Sequence, residues 1–113
     1  MTAAVIEENY IRRIKGIHRL SRHYNRKVTY PHPRRLLELM VEHVAEIKDL
    51  HKKKDKHFLV ETGDLAVLCF ELLLEYNADI DATLLNCFGR YERKLTGLIR
   101  EAELRKKNKS AKS

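Results

Sequence analysis

Residues 65 to 76 read LAVLCFELLLEY, and from 65 to 74 the only polar side chain is Glu71. The run is far shorter than the roughly 20 apolar residues that span a bilayer. A helix without a polar face is buried on several sides. In a chain of 113 residues that burial is hard to supply from within. The segment is therefore expected to pack at a dimer interface as well as inside its own subunit.

Working outward, the flanking sequence carries helical periodicity. This third helix is expected from about residue 57 to residue 77, after a basic connection, HKKKDKH, at 51 to 57. Upstream, Leu36, Leu37, Met40, Val44, Ile47 and Leu50 form the stripe of a second helix, with Leu39 and Val41 widening it. It starts at Pro33 or Arg34, because proline suits a first helical turn. NRKVTYPHP, at 25 to 33, holds both prolines and reads as a linker. Before it, Val5, Ile6, Tyr10, Ile14, Ile17 and Leu20 mark a first helix over about 3 to 24, weakened but not ended by Gly16. Downstream, Asp81 is a candidate N-cap for a fourth helix that runs to about Lys106 on an apolar face from Ile80 to Ile99. No segment reads as a strand. The expectation is an all-α protein, an antiparallel four-helix bundle completed by dimerisation, with one domain over 1–106 and a basic, disordered tail at 107–113.

Composition agrees with that class. Apolar residues make up 43% of the chain and charged residues 35%, with four Gly, two Pro and no Trp. This excludes a disordered chain or a β-sandwich. The net charge of +7 suggests an anionic partner without naming it. Much of the excess sits in RKKNKSAKS at 105 to 113, and the rest lies between Arg12 and Arg35 and in Lys52 to Lys56. Cys69 and Cys87 lie in apolar helical stretches with no CxxC pair, as expected of buried free thiols in a reducing compartment. His18, His23, His32, His51 and His57 form no zinc spacing with those cysteines, so a structural zinc site is not expected. The N-terminal MTAAVIEENYIRRIK lacks a signal-peptide core, and the expected location is cytoplasmic, with no membrane contact.

Two acidic pairs at helical spacing, Glu42 with Glu46 and Glu61 with Asp64, flank the basic connection. If helices two and three fold back antiparallel about a centre near residue 54, Glu46 lies level with Gly63, and Glu46, Glu61 and Asp64 meet at one height. Glu42 and His43 fall about a turn further out. Converging carboxylates repel and lose hydration unless a cation or protons neutralise them. Oxygen ligands favour magnesium, manganese or calcium over zinc.

LLELMVEHVAEI from residue 36, VETGDLAVLCFELLLEYNADI from residue 60 and ATLLNCFGRYERKL from residue 82 together resemble the all-α nucleoside triphosphate pyrophosphohydrolases of the MazG-like superfamily. The resemblance covers about two thirds of the chain. That family's EExxE appears here as Glu42, His43, Val44, Ala45, Glu46, and its ExxD as Glu61, Thr62, Gly63, Asp64. The resemblance implies Mg2+ at Glu46, Glu61 and Asp64, cleavage between the α and β phosphates of a nucleoside triphosphate, and a dimer or tetramer. It also places phosphate contacts at Arg90, Arg93 and Lys94, and a proton acceptor at Glu42 or His43. His43 replaces a glutamate that is ordinarily a ligand. Either three carboxylates with waters suffice, or manganese is preferred, or activity is lost. Glu71 and Glu75 continue the face of Asp64, as outer partners of a metal or as surface or interface carboxylates. Tyr24, Tyr30 and Tyr91 are candidates for stacking on a base. The alternatives are a catalytically degenerate scaffold and a basic nucleic-acid or protein-binding module; the charge favours the latter, although no helix-turn-helix is evident.

Overall fold

A computed structural model describes residues 4–111, and every regular element among them is helical. The helices are α1 (Glu8–Lys27), α2 (His32–Lys52), α3 (Phe58–Glu75) and α4 (Ile80–Ala111). The chain forms two compact units, one ending at Ile80 and containing α1 to α3, the other beginning at Asp81 and containing the rest of α4. α4 continues through the basic stretch to Ala111, where a disordered tail was expected from 107. Lys and Arg are good helix formers, and cations suit the C-terminal end of the helix dipole. Lys112 and Ser113 lie outside the described residues. Asp81 sits inside the first turn of α4 and not at its N-cap, where its charge favours the N-terminal dipole instead.

α1, α2 and α3 end in the same way. Thr29, Lys54 and Asn77 each adopt positive φ, at 54°, 60° and 57°. Around them Tyr30 N–H donates to Asn25 O, Asp55 N–H to Leu50 O and Ala78 N–H to Leu73 O, at 2.9 to 3.0 Å. These six-to-one bonds, with the inner bonds Thr29 to Arg26, Lys54 to His51 and Asn77 to Leu74, are Schellman turns. None uses glycine, although all four glycines of the chain lie within helices.

Within the first unit α2 and α3 are antiparallel, with His43 beside Glu61 midway and His32 beside Glu75 at the far end. The buried apolar side chains among the described residues are Ile14, Leu36, Leu68 and Ile80, of which Leu36, at 1% exposure, is the one fully buried. A seven-residue rhythm runs through the shielded positions. It takes in Ile11, Ile14, His18, Ser21 and Asn25 in α1, Leu36, Met40, His43, Ile47 and Leu50 in α2, and Phe58, Glu61, Leu65, Leu68, Leu72 and Glu75 in α3, where every position from Val67 to Glu75 is at least partly shielded. This 3.5-residue repeat is the one that keeps a helix seam facing its neighbours.

The rhythm corrects the expected stripes. Tyr10, Ile17 and Leu20 on α1, and Leu37, Val41 and Val44 on α2, are exposed. They sit one position off the seam. On α3 the one polar residue of the apolar run, Glu71, is 3% exposed and faces inward. Glu71 was expected at a surface, an interface or a metal's outer shell; it is buried instead, where Ser21 of α1 donates to it.

Candidate functional site

The α2–α3 hairpin brings part of the expected acidic cluster together. His43 Nε2 lies 3.4 Å from Glu61 Oε2 and 4.0 Å from Asp64 Oδ2. The three donor atoms fall within 4.8 Å of one another. His43 occupies a seam position of α2 and Glu61 one of α3, so packing of the hairpin sets this pair. Glu61 is the sheltered carboxylate, with 13% of its side chain exposed, whereas Asp64 opens to solvent.

The imidazole has a defined tautomer. His43 Nδ1 lies 2.8 Å from the carbonyl oxygen of Leu39. A carbonyl can only accept, so Nδ1 carries the hydrogen and donates. The lone pair of the neutral ring is then on Nε2, aimed at two carboxylates. Three electron-rich atoms facing one another attract a proton or a cation. A backbone carbonyl behind Nδ1 is also the usual outer partner of a metal-binding histidine. On the other side of Glu61, His57 Nε2 stands 3.5 Å from Oε1.

Glu46 does not join this cluster. It is exposed because it lies one position off the seam, beside Ile47, whereas His43 is on it. The fold-back itself is centred close to residue 54, as the pairs His32–Glu75, His43–Asp64 and His51–Phe58 show. Glu42 is also exposed and lies 3.6 Å from Arg35 Nη1, on the outer face of α2. Arg90, Arg93 and Lys94 lie on α4 in the second unit, where three- and four-residue spacing puts them on one face beside Tyr91.

A second polar cluster was missed by sequence reasoning. His18 Nε2 lies 2.9 Å from Glu75 Oε2, and His32 Nε2 lies 3.3 Å from the same oxygen. Arg22 Nε approaches that oxygen at 3.7 Å. The Ser21 hydroxyl donates to Glu71 Oε1, and Asn25 Nδ2 lies 2.8 Å from His32 Nδ1. The two imidazole rings are 5.4 Å apart and tilted. Burial pushes His32 below the ordinary imidazole range; Glu75 and Glu71 pull the other way, while His18 and Arg22 reinforce the drop. The cluster draws on α1, α2 and α3, so it lies entirely within the first unit.

The sequence did hold a signal for it. His18, Ser21 and Asn25 extend the Ile11–Ile14 seam without changing its rhythm, and Glu71 stands alone in an apolar helix. Polar residues at seam positions point inward toward partners as surely as apolar ones do.

No family model matches the chain, and no curated protein or solved structure does either. Cys69 and Cys87 are half-buried free thiols, and burial raises the Cys69 thiol above its ordinary range. Among the described residues no helix is long and apolar enough to cross a membrane.

Proposed function

We propose that His43, Glu61 and Asp64 hold a divalent cation and that the protein is a metal-dependent nucleoside triphosphate pyrophosphohydrolase, releasing pyrophosphate and a nucleoside monophosphate. One observation carries the reading: the lone pair of His43 Nε2 and the carboxylates of Glu61 and Asp64 converge across α2 and α3, within 4.8 Å of one another. The resemblance of the two acidic half-motifs to the MazG-like signature supports the substrate class. Charge would be neutralised on the triphosphate by the cation. Glu61 and Asp64 supply the negative charge, and the Leu39 carbonyl keeps the imidazole turned inward.

One imidazole with two carboxylates is a softer set than the expected three carboxylates. It fits Mn2+ better than Mg2+, which prefers oxygen ligands. The test is pyrophosphate release from a panel of ribo- and deoxyribonucleoside triphosphates with each metal, beside a Glu61→Ala, Asp64→Ala variant. The expected result is turnover that is greater with Mn2+ and absent in the variant. Equal turnover in wild type and variant would remove the site.

A second reading is a metal-binding scaffold without turnover. The outward placement of Glu42 and Glu46 favours it, since it leaves no further carboxylate at the cluster to accept a proton from water. Self-association belongs to either reading. Leu37, Val41 and Val44 form an exposed apolar row on α2 at four- and three-residue steps, a spacing that suits a second copy of the same helix. A dimer in light scattering that Val41→Glu converts to monomer is the expected result.

A further inference from the structure

We propose that His18, His32 and Glu75 form a second metal site, buried among α1, α2 and α3 and suited to a zinc-class transition-metal ion bound through His18 Nε2, His32 Nε2 and a Glu75 carboxylate oxygen. The three donor atoms lie within 4.8 Å of one another. A tetrahedral ion with bonds of about 2.0 to 2.1 Å sets its ligand atoms about 3.3 Å apart. The His32–Glu75 separation of 3.3 Å already meets that spacing, and the His18–Glu75 separation of 2.9 Å opens by only a few tenths of an ångström.

An orphaned nitrogen points to the ion. The His32 ring is 9% exposed, and its Nε2 is fully enclosed without a hydrogen-bond partner. Glu75 Oε2 is near it but out of line for a hydrogen bond. A buried polar atom left unpaired is uncommon and calls for a partner such as an ion or a water.

The surroundings are those of a built site. Asn25 is buried against His32 Nδ1. In the structure its Nδ2 donates to that nitrogen, which places the ring hydrogen on Nε2. Metal binding moves the hydrogen to Nδ1, and a half-turn of the Asn25 amide then lets its oxygen accept from Nδ1–H. Arg22 at 3.7 Å and the Ser21–Glu71 bond steady the carboxylate side. Two imidazoles and one carboxylate select zinc, cobalt or iron over magnesium and calcium. Because one ligand comes from each helix, the ion ties all three together.

The experiment uses the full chain carrying Glu61→Ala and Asp64→Ala, so that the hairpin cluster is silent, with Co2+ as the optical probe and Zn2+ as competitor. The expected result is one equivalent of Co2+ with visible d–d absorption, displaced by Zn2+. Outer partners of metal histidines typically matter about 10- to 100-fold, so Asn25→Leu should weaken binding in that range, and His32→Gln or Glu75→Gln by about 100-fold or more. Circular dichroism shows whether each variant is folded. A measurement without substitutions at the ligands guards against misfolding: 15N-imidazole spectra of the unaltered chain with Zn2+ should show His18 and His32 shifting together. Absent d–d bands, unchanged affinity in folded His32→Gln and Glu75→Gln, or imidazole shifts that leave both rings untouched would each overturn the proposal in favour of a purely hydrogen-bonded cluster.

Discussion

His43 is fixed by Leu39: its Nδ1 donates to the Leu39 carbonyl oxygen at 2.8 Å, one turn back along α2, and this leaves Nε2 facing Glu61. Replacing the ring by a carboxylate changes the ligand set without moving the helix. His43→Glu should strengthen Mg2+ binding by about 1.4 kcal/mol or more, a tenfold change in Kd, and narrow the preference for Mn2+. Calorimetric titration of both metals checks this; unchanged Mg2+ affinity would show that residue 43 is not a ligand.

Buried Glu71 leans on one hydroxyl. Ser21→Ala removes that donor and should cost about 1.5 to 3 kcal/mol, the range for hydrogen bonds to charged groups. The double variant Ser21→Ala, Glu71→Met replaces both partners by apolar groups and should recover part of the loss. Urea denaturation of the singles and the double gives the coupling; additive losses would mean the two residues stabilise the fold independently.

Tyr30 donates to both oxygens of Glu38, at 2.6 and 2.7 Å. The hydroxyl, followed by Arg34 and Arg35, holds the Glu38 carboxyl below its ordinary 4.5, and the same bond raises Tyr30 above 10.0. A carboxyl lowered by folding adds stability that is present above pH 4.5 and disappears as pH falls through the folded value. The raised phenol adds stability that is present below pH 10.0 and disappears above it. Tyr30→Phe should therefore flatten both the acid and the alkaline limbs of a stability-versus-pH curve, with the difference from wild type greatest near neutrality. A constant offset at every pH would show no ionisation linkage.

Leu36, at 1% exposure, is the deepest side chain of the first unit. Leu36→Ala should cost about 2 to 5 kcal/mol, whereas Leu37→Ala, one residue on and exposed, should change monomer stability by under about 0.5 kcal/mol. Equal effects in denaturation of the monomer would contradict the seam described for α2.

The helices and their connections were legible in the sequence because periodicity, prolines and a charged turn are local signals. The meeting of His43 with Glu61 and Asp64 was legible only in part. Glu46 and His43 lie less than a turn apart on α2, and spacing alone does not tell which of them is on the seam that meets α3. The His18–His32–Glu75 cluster was not read because a hydropathy stripe searches for apolar residues. His18, Ser21 and Asn25 break the stripe while keeping its geometry. Tyr10, Ile17 and Leu20 keep the apolar character but lie off the seam, so they drew the reading to the wrong face.

The three Schellman turns also show where the molecule has room to become more robust. A left-handed residue with a side chain costs about 1 to 2 kcal/mol relative to glycine, less for asparagine. A helical glycine costs about 1 kcal/mol relative to alanine. Here the two residue classes occupy each other's best places: Thr29 and Lys54 take the left-handed positions, while Gly63 and Gly97 sit in helices with open space where a Cβ would go. Exchanging these preferences at four positions is a route to a thermostable form that leaves every buried contact alone. Gly63 lies between Glu61 and Asp64, so its alanine variant also asks whether the bare backbone there is kept for rigidity or for something that must come close.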